Sequence, residues 1–396
     1  MREVFLRLFL NNVYPAIVLS VVLAVQAAGA WMLLRTQWAR SSRRRRSAIY
    51  AAAVVSFCAM ISGFLLRFAR VNRYFADDFS NWTRNAALIW AILSGFLVLM
   101  FAISRLIPPP RKENGIGRRR FLLALRAAAV ATPAVAFGYG TFIERNSLEL
   151  HEESIPIAGL HPDLDGLRLV QLSDIHLSPF LSENVLARAV AMANETRAHL
   201  ALVTGDLISF TGDPLDTCLD RLAFLRADAG IFGCLGNHEI YCGVEDYVSE
   251  RGARLGMRFL RSAAEPLRFG AATLNLAGVD YQRMHSQYLI GTEQMIRRDP
   301  ESRTLNLLLS HNPDVFPVAA SQGWQFTVAG HTHGGQVNVE ILRRDWNVAR
   351  FFTPYTLGQY RLGKAAIYVS RGIGTIGAPI RLGSVPEVAL LTLRRA

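Results

Sequence analysis

Along its first 140 residues the chain alternates long apolar stretches with short charged ones. The apolar stretches are Val13–Leu34, Ala48–Leu66, Ala86–Ile107 and Phe121–Gly140. Each approaches the roughly 20 residues a helix needs to cross a bilayer. An all-α membrane domain of about four transmembrane helices is therefore expected over residues 1–140, with 141–162 as a linker. From Leu167 the pattern changes to short runs rich in Val, Ile and Leu that stop abruptly at polar residues. Arg168–Ser173 stops at Asp174 and His176, Leu200–Gly205 at Asp206, and Gly230–Gly236 at Asn237, His238 and Glu239. Leu305–Ser310 stops at His311, and Phe326–Gly330 at His331 and His333. Between the first two runs, Ser182–Arg197 carries apolar residues at helical spacing: Val185, Leu186, Ala189, Val190 and Ala193. Strand, helix, strand at this spacing predicts an α/β sandwich built on sheets over 163–396.

Charge sharpens the division. Residues 1–147 hold 20 Lys+Arg and 5 Asp+Glu, and the remainder holds 23 and 26, so the net +12 is +15 on the first part and −3 on the second. The arginines lie between apolar runs, where they act as topology signals, so no nucleic-acid partner is expected. The first loop carries Arg35, Arg40 and Arg43–Arg46, and the third carries Arg105, Arg111, Lys112 and Arg118–Arg120. In the second, Arg67, Arg70, Arg73 and Arg84 are partly offset by Asp77 and Asp78. The positive-inside rule places loops one and three in the cytoplasm. A multi-pass protein of the cytoplasmic membrane with its soluble part outside the cytoplasm is expected. Arg118-Arg119-Arg120-Phe121-Leu122 before an Ala-rich run resembles a twin-arginine export signal, and equally an arginine anchor before a span. Ala134-Val135-Ala136 has the small residues of a cleavage site. Pro108-Pro109-Pro110 stiffens the third loop.

The residues that end the runs have the chemistry of metal ligands. Carboxylate oxygen and neutral imidazole nitrogen together suit Mn²⁺, Fe²⁺ or Zn²⁺. Asp174 and His176 are two apart, as are His331 and His333, so alternation along an extended strand end would put each pair on one side. A carboxylate such as Asp206 can bridge two ions, and Asn237 offers a neutral oxygen. Singly, each such residue is more simply a turn former or a structural histidine, but five blocks in series, each closing an apolar run, are not explained that way. Cys58, Cys218, Cys234 and Cys242 form no C-x-x-C pair, so no disulfide framework is expected.

The series Asp174-x-His176, Gly205-Asp206, Gly236-Asn237-His238-Glu239, Ser310-His311 and Gly330-His331-Thr332-His333 resembles the calcineurin-like metallophosphoesterase superfamily over about 163–396. Leu164–Leu177, His311–Phe316, Gly330–Val337, Tyr368–Gly374 and Pro386-Glu387 are similar to a bacterial membrane-associated or exported subgroup. That subgroup includes phosphodiesterases and enzymes that cleave UDP-2,3-diacylglucosamine. The resemblance implies a four-layered α/β/β/α sandwich and two divalent ions, with Mn²⁺ expected and Fe²⁺ or Zn²⁺ as alternatives. It implies one ion on Asp174, His176, Asp206 and His333, and a second on Asp206, Asn237, His311 and His331. His238 would be an acid or a stabiliser of the transition state, oriented by Asp174. Phosphoprotein phosphatases of the superfamily follow the bridging Asp with Asp-Arg-Gly. Here Leu207-Ile208-Ser209 stands instead, which disfavours that activity.

The expected reaction is phosphoester or pyrophosphate hydrolysis by a metal-bridging hydroxide on a lipid- or nucleotide-linked substrate. Arg371, at the end of Ala366–Ser370, has two readings, a substrate contact or a structural ion pair. Gly334-Gly335 would permit close backbone approach at the metal rim. A non-catalytic metal-binding sensor or scaffold on a membrane anchor is the alternative, but such a domain would be expected to have lost ligands. The apolar stretches lack Asp, Glu and Lys, which gives a transport path little support.

Overall fold

The computed structural model describes residues 14–66, 71, 77–106, 116–281, 303–338 and 347–396. Arg67, Arg70, Arg73, Arg111, Lys112 and Pro108–Pro110 lie outside the described residues. The chain divides into two compact units, one running to Tyr139 with Gly377–Pro379, the other holding Gly140–Ile376 and Ile380–Ala396.

The first unit is helical: α1 Tyr14–Leu34, α2 Arg43–Leu65, α3 Asp77–Ser104 and most of α4 Ile116–Phe142. Among the described residues three segments are long and apolar enough to cross a membrane: Ala16–Leu34, Arg43–Leu65 and Ala86–Ser104. The fourth expected stretch does form a helix, but α4 brings Arg118, Arg119, Arg120 and Arg126 with it and is not among the three. Gln26 on α1, Ser56 on α2 and Ser94 and Trp90 on α3 hydrogen-bond across the helices: Gln26 Nε2 donates to Ser94 Oγ at 3.0 Å, Ser56 Oγ to Gln26 Oε1 at 2.8 Å, and Trp90 Nε1 to Ser56 Oγ. In an apolar medium such bonds fix which helix faces meet.

The second unit is built on two six-stranded sheets. Its strands are β1 Glu149–Ile157, β2 Arg168–Leu172, β3 Leu200–Thr204, β4 Ile231–Cys234, β5 Met257–Phe259 and β6 Ala263–Phe269, then β7 Ala272–Val279, β8 Thr304–Ser310, β9 Phe326–Ala329, β10 Gly358–Leu362, β11 Ala365–Val369 and β12 Glu387–Arg395. The first sheet has the order β1-β12-β2-β3-β4-β5, with β2 to β5 parallel. The second has the order β10-β11-β9-β8-β7-β6, with β11, β9, β8 and β7 parallel. Most of the expected linker is thus not a linker. Residues 149–157 form edge strand β1, parallel to β12 in register Glu149 to Glu387. Its exposed outer positions hid it from a search for apolar runs.

Strand alternation sorts the core into layers. Leu169, Leu200, Leu202 and Phe232 of the first sheet meet Leu274, Leu305, Leu307, Phe326 and Val328 of the second. Val170, Leu172, Ala201 and Val203 face the other way, onto helices α5 Glu183–Glu195, α6 Leu215–Leu222 and, beyond the short α7 Asn237–Cys242, α8 Glu245–Arg254. On the far face of the second sheet, α9 Phe316–Ser321 covers Leu308, Ala329 and Ile367. The result is the expected α/β/β/α sandwich. The parallel strands of both sheets end at one edge, where loops from distant parts of the sequence converge.

Candidate metal centre

That edge collects the residues singled out in the sequence. Asp174 and His176 follow β2, Asp206 follows β3, Asn237 opens α7 after β4, His311 follows β8, and His331 and His333 follow β9. The backbone knits these ends together. The Asp174 N–H donates to Gly205 O at 3.1 Å, the His176 N–H to Asp206 O at 2.9 Å, and the Gly330 N–H to His311 O at 3.1 Å.

The pairs two apart reach one side by a different route from the one expected. Asp174 (φ 50°), His176 (φ 48°), Asp206 (φ 56°), His331 (φ 76°) and His333 (φ 52°) all lie in the left-handed region. These are left-handed residues in backbone beyond the strands, not extended strand ends. Such conformations cost non-glycine residues about 1–3 kcal/mol each and cluster where a site demands them. Two glycines allow the close packing beneath. A Cβ on Gly236 would stand 2.1 Å from Asp206 Oδ1, and one on Gly335 (φ 85°) 1.9 Å from Asn347 Oδ1.

Candidate ligating atoms lie within hydrogen-bond or ion-pair range of one another. His176 Nε2 and His333 Nε2 are 3.2 Å apart, as are His331 Nδ1 and His311 Nε2. His333 Nε2 lies 3.4 Å from Asp174 Oδ1. Asp206 Oδ2 faces both groups most closely, at 3.5 Å from His176 Nε2 and 3.1 Å from His311 Nε2, while Asp174 Oδ1 reaches the second group only at 4.0 Å from His311 Nε2. Ligands bound at about 2.0–2.2 Å to one ion stand about 3–3.5 Å apart. Asn237 Oδ1 is buried and has no hydrogen-bond partner, as an oxygen reserved for an ion would be. Asp174 with His176 and His333, and Asp206 with His311 and His331, can each hold a metal ion; His176, Asp206 and His238 form a third such group.

Outer contacts orient these candidate ligands. The Nδ1–H of His311 donates to Thr204 O at 2.7 Å, which leaves Nε2 free to bind. His176 Nδ1 meets Ser209 Oγ at 3.0 Å. Asp174 accepts from Ser173 Oγ at 2.6 Å and from the His331 N–H at 2.9 Å. His238 is oriented by the Ser209 carbonyl, 2.6 Å from its Nδ1, and not by Asp174 as expected. Its own N–H donates to Asp206 Oδ1 at 3.0 Å, fixing the oxygen that does not face the imidazoles. The exposed rings of Phe210 and Tyr241 flank His238 edge-on at 6.4 and 5.7 Å between centroids.

Burial and neighbouring charges set the ionisation of the metal-free cluster. Burial raises the Asp174 carboxyl, with the Asp206 charge adding to it. Burial works against the Asp206 carboxylate too, but His311 and His176 hold it well below the usual range. Burial opposes a charge on His311, yet Asp206 lifts it to about 10. Burial and the nearby His311 push His331 down to about 3. Burial and His176 lower His333, and burial lowers His238.

Arg371 makes the ion pairs of the second of its two readings. Its Nε donates to Glu387 Oε2 at 2.5 Å and Nη2 to Glu149 Oε1 at 2.9 Å. Three residues went unassigned in the sequence. Glu239 accepts from the N–H groups of Asp206, Leu207 and Gly236 at 2.9, 2.7 and 2.7 Å. Its position three after Gly236 is that of a helix N3 glutamate, a signal the sequence did carry. Ser209 had no such signal. Arg381 is fully buried and donates to the carbonyls of Arg371, Gly372, Gly374 and Ser384. The loop it holds is bonded in turn to the segment that follows β2, Ile373 N–H to Ser173 O at 3.0 Å and Gly374 N–H to Asp174 O at 2.7 Å. All four cysteines are free.

A two-sheet sandwich with this cluster at its converging strand ends defines a metal-dependent phosphohydrolase, and the comparisons with known proteins agree. Residues 167–349 match the family model for calcineurin-like phosphoesterase, and the chain belongs to that family. The phosphodiesterase YaeI of Escherichia coli is 31% identical over 70% of this chain and 99% of its own length. The metallophosphoesterase YkuE of Bacillus subtilis is 28% identical over 70% of this chain and 98% of its own. The zebrafish transmembrane protein with metallophosphoesterase domain is 25% identical over 87% of this chain and 80% of its own, which takes in part of the apolar helices.

Proposed function

We propose that the protein is a membrane-anchored two-metal phosphodiesterase or pyrophosphatase. The observation that carries this reading is Asp206 Oδ2, one carboxylate oxygen facing an imidazole of each group. In this reading Asp174, His176, Asp206 and His333 hold one divalent ion, and Asp206, Asn237, His311 and His331 hold the other, with Mn²⁺ the first choice and Fe²⁺ or Zn²⁺ next. Such ions supply a water of lowered pKa and positive charge for the phosphoryl oxygens.

The chain's own residues do the rest. His238 keeps Nδ1–H on the Ser209 carbonyl, so Nε2 is the atom left to serve the substrate. Lowered by burial, it is neutral in the resting site and takes up a proton when an anionic phosphoester arrives, ready to donate it to the leaving oxygen. Phe210 and Tyr241 offer apolar surface beside it to a bulky leaving group. The substrate is a phosphoester, lipid- or nucleotide-linked.

In this reading α4 is a fourth span, the arginines at its start are a cytoplasmic anchor or a twin-arginine export signal, and the catalytic unit lies outside the cytoplasm. The activity is tested with purified full-length protein, Mn²⁺ and bis(p-nitrophenyl) phosphate. Asp206→Asn abolishes hydrolysis if the assignment is right; full activity in that variant would refute it.

A further inference from the structure

The three apolar helices of the first unit do not pack solid. Between α1, α2 and α3 runs a groove of about 460 Å3, lined by small and apolar residues such as Ala30, Ala52, Ala53, Leu97 and Phe101. Its inner end is closed by the Gln26, Ser56, Trp90 and Ser94 network, whose groups bond to one another. It reaches outward to Leu33 on α1, Ala48 on α2 and Phe101 on α3. From Gln26 to Leu33 the rise is about 10 Å at 1.5 Å per helical residue, against about 15 Å of hydrocarbon in one leaflet.

A Cβ built on Gly29 of α1 would stand 2.4 Å from Val98 Cγ2 of α3, so those two helices already touch beside the groove. The polar network pins all three helices at the floor. Small side chains commonly let membrane helices close on each other, but here Ala30, Ala52 and Ala53 face open space.

The outer end is where the charge lies. α1 ends at Leu34 and is followed by Arg35 and Arg40; α2 starts with Arg43–Arg46; Arg105 follows α3. The Arg105 guanidinium sits over the ring of Phe101, itself a lining residue, at 5.9 Å from its centroid. An apolar channel of this depth with a cationic collar complements one molecular form, a hydrocarbon chain with an anionic head.

We propose that the groove is a binding site for one acyl chain of an anionic phospholipid, its phosphate at the arginine collar around Arg105. The site is separate from the metal centre and does not depend on the reading given to it.

The test is native mass spectrometry of the full chain, released from detergent micelles after incubation with phosphatidylglycerol or phosphatidylcholine at equal concentration. One phosphatidylglycerol stays bound per chain, in preference to phosphatidylcholine. Arg105→Gln lowers phosphatidylglycerol retention about fivefold, the weight of one juxtamembrane arginine, and leaves phosphatidylcholine unchanged. Ala52→Phe, which fills the groove, removes the bound lipid. Ala53→Leu does so by a smaller insertion, and helicity by circular dichroism shows that each variant folds. Equal retention of both lipids, retention unaffected by either filling variant, or a lipid-free dimer would overturn the proposal.

Discussion

The Glu239 carboxylate accepts the backbone N–H of Asp206 at 2.9 Å, so a residue outside the candidate ligand set holds in place the backbone that carries the carboxylate facing both imidazole groups. The same carboxylate accepts from Leu207 and Gly236, joining the ends of β3 and β4. It is fully buried, and burial, followed by the Asp206 charge, raises its pKa. Glu239→Ala would leave three inward N–H groups without an acceptor, at about 1–3 kcal/mol each before relaxation. The expected result is a loss of about 3 kcal/mol or more in thermal or denaturant unfolding, with lower metal content by elemental analysis. Glu239→Gln keeps one carbonyl acceptor and falls between. An alanine variant with wild-type stability and full metal would show that Glu239 positions nothing.

Metal uptake carries a pH signature. In the metal-free cluster His311, lifted to about 10 by Asp206 against burial, is protonated at neutral pH. His331, lowered to about 3, and His333, also lowered, are already neutral. Only a neutral imidazole binds metal. Binding of Mn²⁺ at pH 7 should therefore release about one proton, from His311, and affinity for that site should rise about tenfold per pH unit toward pH 10. Calorimetric titration in two buffers of different ionisation enthalpy measures the count; zero protons released would sink the assignment.

The same shifts set how the metal-free protein responds to pH. A raised His311 pKa stabilises the fold fully below about 6.5, the unfolded value, and that contribution is lost as pH rises through about 10. The depressed Asp206 pKa stabilises it above about 3.9 and is lost as pH falls through the lower folded value. In chelator, the melting temperature should decline from pH 6.5 to 10. A flat profile there would mean that His311 and Asp206 do not interact as the distance of 3.1 Å implies.

The sandwich, and the convergence of the candidate residues at its strand ends, were legible because each block ends a buried apolar run. Less was legible where geometry depends on backbone conformation. The spacing of Asp174 and His176 suggested alternation, yet their left-handed φ values do the placing; Asp and His enter that region more often than other non-glycine residues, but spacing does not mark which of them will. β1 was missed because an edge strand needs only one buried face, and half of it is polar. Ser209, which touches both His176 and His238, sits in a loop without periodicity. Nothing in the sequence marks Arg381, since only the folded loop supplies the carbonyls that let a guanidinium be buried.

Arg371 separates a structural from a functional role. Its guanidinium is held between Glu387, almost wholly buried, and the more exposed Glu149. Glu387 also accepts from the Tyr368 hydroxyl at 2.9 Å. Arg371→Met leaves that buried carboxylate without its cation, at about 3 kcal/mol. The expected outcome is a lower melting temperature with KM unchanged toward bis(p-nitrophenyl) phosphate. A raised KM at unchanged stability would instead return Arg371 to the substrate.

The number of spans decides the side of the membrane on which the metal centre works. With the Arg43–Arg46 loop in the cytoplasm, three crossings by α1, α2 and α3 bring the chain back to the cytoplasmic side, and only a crossing by α4 takes the catalytic unit out. α4 is 27 residues long, enough to span, but Arg118–Arg120 and Arg126 in its first half must stay near the headgroups or be carried across. The proposed outward placement requires the crossing, with the arginines as the cytoplasmic anchor or export signal. An alkaline phosphatase fused after Ala396 should then be active in intact cells, and a fusion after Gly117 inactive. Replacing Arg118 and Arg119 with Lys should abolish the outer activity if the twin-arginine pathway exports the unit, and preserve it if the arginines only anchor the helix. An inactive fusion after Ala396 would put the metal centre in the cytoplasm with α4 lying along the membrane, and would open to it substrates carried on cytoplasmic lipids.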